Sequence, residues 1–195
     1  MKREKIFENR GEKKLFDEIN DLHLLLSEEF KKQFNRSLPF SDEIFDRWER
    51  SKRLGFGEGT SIYDSSYVIG DVKIGKNCWI GMFTILDGSG GLIIGDNCTI
   101  SAGVHIYSHD NLKKTLSWGK LQIEHESVKI GNCTYVAPQS IITKGVSIGN
   151  HCVVASNSFV NKSFDDFSII AGNPAKKIGT VNISGDTINF IYDNK

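Results

Sequence analysis

An aliphatic residue recurs every six positions through most of the chain, and this recurrence constrains the fold more than any other feature. A small residue commonly follows the aliphatic one, and a compact residue stands four places after it, as in Ile94, Gly95 and Cys98. The period fits neither an α-helix, with about 3.6 residues per turn, nor a simple strand meander. All fourteen positions of the column are Ile, Val or Leu: Ile62, Val68, Ile74, Ile80, Leu86, Ile94, Ile100, Ile106, Ile130, Val136, Ile142, Ile148, Val154 and Val160.

A six-residue period is typical of short strands joined by tight corners. Three such strands form one triangular coil, and stacked coils bury the aliphatic column as a continuous core. Cys78, Cys98 and Cys152 occupy the slot that elsewhere takes Val, Thr or Ser, which indicates reduced cysteines with a packing role. The pattern leaves the hand of the coil open, since crossover geometry in general favours the right hand.

The segments outside the column differ in pattern. Apolar residues at helical spacing predict an amphipathic helix over 11–34. We expect residues 1–55 to form a helical cap over the open end of the coils, 56–179 to form the solenoid, and 180–195 to form a tail with strand-like alternation. In an alternative interpretation, the N-terminal helices shape the acceptor pocket of a neighbouring subunit.

Composition narrows the class of protein. Lys plus Arg and Asp plus Glu both number 24, so charge does not suggest binding to nucleic acid or to a membrane surface. No window approaches the roughly 18 apolar residues of a membrane span, and the first residues lack the apolar core of a signal peptide. Four cysteines without a CxxC pair fit a cytoplasmic protein.

The column is interrupted twice, and a purely structural repeat has no reason to interrupt itself. The segment 87–91 adds two residues between Leu86 and Ile94, and the segment 111–127 lacks the aliphatic–small pair, which predicts a projecting loop over 110–127. Once the two added residues are removed, Asp87 and His109 are separated by one coil plus two residues. We therefore expect them to be neighbours, with His109 as general base and Asp87 as its carboxylate partner.

The repeat resembles that of the hexapeptide-repeat acyltransferases, whose unit is an aliphatic residue, a small residue, two free positions and a small residue. The resemblance covers 61 to about 179 and implies an all-β solenoid, a left-handed parallel β-helix with a short N-terminal helical appendage. The run GVHIYSHDN at 103–111 is similar to the segment that carries the active-site histidine in sugar O-acetyltransferases of the galactoside, maltose and colanic-acid type, and the match falls on His109. The run TILD at 84–87 is similar to a segment of their acceptor site.

The resemblance also implies a reaction and an assembly. It implies direct transfer from acetyl-CoA, without a metal, to a sugar or surface-polysaccharide precursor. It further implies a homotrimer with its sites between subunits. The run AGNPAKKIG at 171–179 is similar to the closing motif of the family. The residues that match the family's donor site are Ala137, Pro138, Ser156, Asn161, Lys162 and Lys176.

Three other interpretations stay open from the sequence. The fold is shared by N-acetyltransferases of nucleotide-linked amino sugars, which usually carry an additional N-terminal α/β unit. It is also shared by zinc-dependent carbonic anhydrases, which need three converging histidines, whereas the coil before His109 offers Asp87. A non-catalytic scaffold is the third. The sequence does not name the acceptor or the length of the acyl chain.

Overall fold

Short parallel strands wind into a three-faced solenoid in the computed structural model, which describes residues 6–7 and 11–193. The predicted left-handed parallel β-helix is confirmed. Face 1 is built from β1 (Ser61–Ile62), β3 (Trp79–Ile80), β5 (Thr99–Ile100), β10 (Tyr135–Val136), β13 (Val153–Val154) and β15 (Ser168–Gly172). Each of these strands pairs in parallel with the next in this order.

The other two faces share their longest strands, because two strands run straight through the corner between them. Face 2 contains the first halves of β2 (Tyr67–Ile74) and β4 (Ile85–Ile94), followed by β6 (His105–Ile106), β11 (Ile141–Ile142) and β14 (Phe159–Val160). Face 3 contains the second halves of β2 and β4, followed by β9 (Val128–Ile130) and β12 (Ser147–Ile148).

The aliphatic column forms the core. In β11, Ile142 is fully buried, whereas its neighbour Ile141 is 38% exposed, as expected from the alternation of side chains along a strand. Cys78, Cys98 and Cys152 are buried free thiols, which fits their predicted packing role.

A ladder of side chains holds the coils together at the corner between faces 3 and 1. The side-chain oxygens of Asp96, Asn132, Asn150 and Asp166 each accept the backbone N–H of the preceding coil at 2.7–2.8 Å. Because these N–H groups lie at the corner, outside the paired strands, the carboxylates and amides supply acceptors that the strand ladders do not provide there.

The first break in the column does not form a loop. Instead, β4 continues through 87–91 and pairs with β2, with a register shift between Gly70 and Val72. A Cβ atom at Gly88 would lie 2.3 Å from the carbonyl oxygen of Asp71, so the glycine permits a close backbone approach.

The second break is a folded insertion that begins one residue earlier than predicted. Strand β7 (His109–Asp110) pairs antiparallel with β8 (Glu124–His125), and the helix α4 (Leu112–Leu116) lies between them in sequence. The predicted loop over 110–127 is therefore a short hairpin with a helical turn, and its first strand carries His109.

The contacts separate residues 1–46 from residues 47–195. The first unit contains α1 (Lys13–Phe34), close to the predicted 11–34, and α2 (Phe40–Ile44). Within it, the buried carboxylate of Glu43 accepts a hydrogen bond from Ser27 Oγ and lies 3.0 Å from His23 Nδ1.

The helix α3 (Arg47–Arg53) belongs with the solenoid, although the sequence grouped it with the N-terminal cap. It packs against β1, and the Arg50 guanidinium donates hydrogen bonds to the carbonyl oxygens of Tyr63 and Ser66. Whether the N-terminal helices act as a cap stays a prediction.

The strand-like alternation expected of the tail corresponds to an antiparallel hairpin. Strands β16 (Ala175–Ser184) and β17 (Thr187–Tyr192) extend face 1 beyond β15, so the predicted boundary after residue 179 falls inside β16. Residues 194–195 of the predicted tail lie outside the described residues. No helix in 6–7 and 11–193 combines the length and apolarity that a membrane crossing requires.

The aliphatic column predicts a large difference between two adjacent isoleucines. We expect Ile142→Ala to lower the free energy of unfolding by about 2–5 kcal/mol, because it removes buried methyl groups and leaves a cavity. The matched control Ile141→Ala, at a half-exposed outward position, should lower it by less than about 1.5 kcal/mol. Urea unfolding followed by circular dichroism measures both; equal losses would contradict the inward assignment of the column.

Candidate active site

Asp87 and His109 form a hydrogen-bonded pair at the corner between faces 2 and 3. His109 Nδ1 lies 2.6 Å from Asp87 Oδ2, and the side chains are 35% and 1% exposed, respectively. Strand β4 pairs with β6 through Leu86 and Ile106. Asp87, the residue after Leu86, therefore lies beside the segment that runs from Ile106 to His109. The structure thus brings together the two residues that the sequence selected.

The Asp87 carboxylate is held charged by hydrogen bonds. Its Oδ1 accepts from the N–H and Oγ of Ser89, and its Oδ2 accepts from the N–H and Oγ of Ser108 as well as from His109. Burial by itself raises the pKa of Asp87, but the hydrogen bonds from Ser89, His109 and Ser108 together outweigh it and lower this pKa to about 2.

This arrangement assigns the tautomer of a neutral His109. An ionised carboxylate can only accept, so the hydrogen of neutral His109 must lie on Nδ1. Nε2 then carries the lone pair and is available as a base.

The two breaks of the column meet at Ser108. Ser108 Oγ accepts the N–H of Gly90 at 2.8 Å, and its carbonyl oxygen accepts the N–H of Glu126 at 2.9 Å. A Cβ atom at Gly90 would lie 2.4 Å from that carbonyl oxygen, which requires glycine at this position. The first break therefore supplies Asp87, and it also lets the second break approach closely.

A second histidine lies beside the pair. His125 is the cross-strand partner of His109 in the β7–β8 hairpin, and the two rings stack with their centroids 5.8 Å apart. The sequence placed His125 in the loop without a role, because the six-residue spacing does not give the register of an inserted hairpin.

His109 opens on a groove of about 360 Å³ formed by residues of three successive coils and by the insertion. Thr143 and Lys144 were not selected from the sequence, although removing the insertion from the count would place Thr143 one coil beyond Tyr107. The groove is lined by Tyr107, His109, Asp110, Asn111, Ile141, Thr143, Lys144 and Phe159.

Five of the six predicted donor-site residues lie on two different edges of face 2, and the sixth, Lys176, lies on the hairpin that extends face 1. Ala137, Pro138 and Ser156 lie at the corner between faces 1 and 2, and Lys176 pairs with Ala171 just beyond the last strand of face 1. Asn161 and Lys162 follow β14 at the corner between faces 2 and 3, the corner that carries His109. A single chain does not bring the two groups together.

No cluster of three metal-ligating side chains occurs in the part of the chain that the structure describes. His109 has one carboxylate and one stacked histidine beside it, which differs from three converging histidines.

Two family models match the solenoid. A model described as bacterial transferase hexapeptide (six repeats) matches residues 127–162, and one described as hexapeptide repeat of succinyl-transferase matches residues 71–108. Two stretches of the chain are thus similar to the hexapeptide repeats of transferases. The matched segments flank the insertion, and the resemblance inferred from the sequence is confirmed.

Among curated relatives, a chloramphenicol acetyltransferase of Klebsiella aerogenes is 26% identical over 158 residues, which is 72% of this chain and 73% of the relative. Two further relatives are much longer, and the chain spans 28% of each.

Solved structures share the fold. The N-acyltransferase AntD from Bacillus cereus, in complex with dTDP and 3-hydroxybutyryl-CoA, aligns with a TM-score of 0.57 at 24% identity, covering 70% of this chain and 90% of that one. A maltose O-acetyltransferase from Clostridium difficile 630 aligns with a TM-score of 0.58 at 22% identity, covering 85% of this chain and 89% of that one.

The lowered pKa of Asp87 predicts a pH-dependent contribution to stability. The ionised form is favoured in the folded state, so the contribution is complete above the ordinary pKa of 3.8 and is lost as the pH falls through about 2. We expect the wild type to lose about 2 kcal/mol from this group over that range, and Asp87→Asn to lack this loss.

Acid titration of the unfolding free energy measures the effect. Asp71→Asn, which changes an exposed carboxylate, is the matched control and should keep the wild-type dependence. An Asp87→Asn protein with the wild-type acid slope would show that this carboxylate is not held charged by the fold.

Proposed function

We propose that this protein is an acyltransferase that moves an acetyl group from acetyl-CoA to a hydroxyl group of a sugar or surface-polysaccharide precursor. The observation that carries the proposal is the Asp87–His109 pair, whose free imidazole nitrogen stands beside a groove. The reaction class is supported by the similarity to an acetyltransferase over 72% of the chain and by a fold neighbour that binds an acyl-CoA.

The pair is suited to general base catalysis. Asp87 fixes the His109 ring and stabilises the imidazolium that forms when Nε2 takes the proton of the acceptor hydroxyl. The acceptor oxygen attacks the thioester carbonyl, the tetrahedral intermediate collapses, and the CoA sulfur leaves as the imidazolium returns the proton. This sequence leaves His109 neutral and needs no covalent acyl-enzyme.

The cysteines are poorly placed for a covalent route. Cys78, Cys98 and Cys152 are buried inside the coils, and the exposed Cys133 belongs to the corner between faces 3 and 1. Direct transfer between two bound substrates therefore fits the arrangement better than a ping-pong reaction.

The donor residues have the chemistry that CoA needs. Lys162 and Lys176 are exposed cations suited to its phosphates, Ser156 and Asn161 are exposed polar groups, and Ala137 is a small buried side chain at the edge of face 2. Because these residues lie on two edges of one chain, a homotrimer that joins the edges of neighbouring subunits would complete the site.

An amino acceptor is the second candidate. It is favoured by the fold neighbour AntD, an N-acyltransferase solved with dTDP, and the same base could remove the proton of an amine. A panel of free sugars, oligosaccharides and nucleotide-linked amino sugars, assayed for thiol release from acetyl-CoA, separates the two by the product formed.

Loss of the base should abolish transfer without abolishing donor binding. We expect His109→Ala to lower turnover roughly a hundredfold to ten-thousandfold, while its Kd for CoA stays within about twofold of the wild type. Turnover is measured as thiol release, and affinity by calorimetry. His151→Ala, at the corner between faces 3 and 1, is the control and should keep turnover. Full turnover in His109→Ala would rule out its role as base.

A site shared between subunits predicts complementation. We expect His109→Ala and Ser156→Trp to be inactive alone, the second because an exposed edge residue becomes bulky in the path of the donor. When trimers are reassembled at random from equal amounts of the two variants, about a quarter of wild-type activity should return. Each of the two edges that form a site is intact in half of the cases, and an active site needs both. Sedimentation equilibrium should give three times the chain mass of 21.8 kDa. No recovery on mixing would place the site within one chain.

A further inference from the structure

Lys144 is the cation at which the insertion meets the solenoid. It lies at the corner after β11, and its side chain is 16% exposed. Its Nζ lies 2.8 Å from Glu126 Oε1, 3.1 Å from Glu124 Oε2 and 3.5 Å from Asp110 Oδ2. All three carboxylates belong to the insertion, whereas Lys144 belongs to the next coil.

The hairpin that carries His109 needs such a cation. Asp110 and Glu124 are directly opposite each other in β7 and β8, and like charges in that position destabilise a strand pair. Each strand has only two residues, and an isolated short hairpin is marginal in water.

The second lysine of this cluster does not tie the hairpin to the solenoid. Lys113 Nζ contacts Glu124 Oε1, but Lys113 lies on α4 inside the same insertion and is 61% exposed. The hydrogen bonds that Lys144 donates to Glu126 and Glu124 raise its pKa above the ordinary value, so it stays charged throughout the working range of an enzyme.

We infer that Lys144 is a positioning residue: it holds the β7–β8 hairpin against the solenoid and thereby fixes His109 beside the groove. The catalytic meaning of this role rests on the proposed function. The placement itself does not, because it concerns the hairpin alone.

The test compares Lys144→Met with the conservative Lys144→Arg and with Lys76→Met, an exposed lysine at another corner. Hydrogen–deuterium exchange of peptides within 105–127 should be several-fold faster in Lys144→Met than in the other two proteins. Turnover of acetyl-CoA with the best acceptor should fall about tenfold to a hundredfold in Lys144→Met, since a misplaced base loses alignment. Lys144→Arg should restore both the exchange rate and the turnover to nearly their wild-type values.

A double-mutant cycle covers the case in which Lys144→Met is poorly folded. In the Asp110→Asn, Glu124→Gln background, the opposed charges are absent, so adding Lys144→Met should change exchange in the hairpin less than it does in the wild type. Equal exchange rates in Lys144→Met and Lys76→Met would overturn the positioning role. It would also be overturned if Lys144→Met changed the exchange rate equally in the wild-type and the double-mutant backgrounds. If the wild type transfers acetyl to no acceptor in the panel, the proposed function fails, and the exchange measurements still decide the role of Lys144.

Discussion

The parallel stacking of coils on one aliphatic column is the constraint on which the rest of the structure depends. Each strand pairs with the equivalent strand of the next coil, as Leu86 does with Ile106 and Ile142 with Val160. Residues that are one coil apart in sequence therefore lie side by side at the corners. The continuous core occupies the inside of the coils, and Asp87 and His109 lie at a corner where the six-residue packing pattern is interrupted.

The burial of Asp87 illustrates how this scaffold accommodates a charged group. A fully buried carboxylate is strongly unfavourable unless hydrogen bonds replace its hydration. Here two serines and a histidine do so, and the added residues of 87–91 bring one of those serines, Ser89, into reach. Gly90 then allows Ser108 to approach. The two residues added to the repeat therefore create the hydrogen-bonded site of the Asp87 carboxylate and also the space for the segment that carries His109.

The insertion after Ile106 adds what a repeat cannot supply. Its hairpin reverses direction, stacks His125 on His109 and brings three carboxylates to Lys144. The fold thus combines a hydrogen-bonded corner, which holds Asp87, with an added element that lines the groove. The residues proposed for the donor site are divided between two edges of face 2 and the hairpin beyond face 1, an arrangement that would suit sites built from neighbouring subunits.

By itself the sequence determined the repeat, the inward column, the packing role of three cysteines and the proximity of Asp87 to His109. These features follow from counting, because one period of eighteen residues or so moves the chain by one coil. Only the tertiary structure decided the course of the two breaks, the assignment of α3 to the solenoid, and the positions of His125, Ser89 and Lys144 around the pair. Their placement depends on antiparallel register and on contacts between an insertion and a later coil, and the six-residue period carries no information about either.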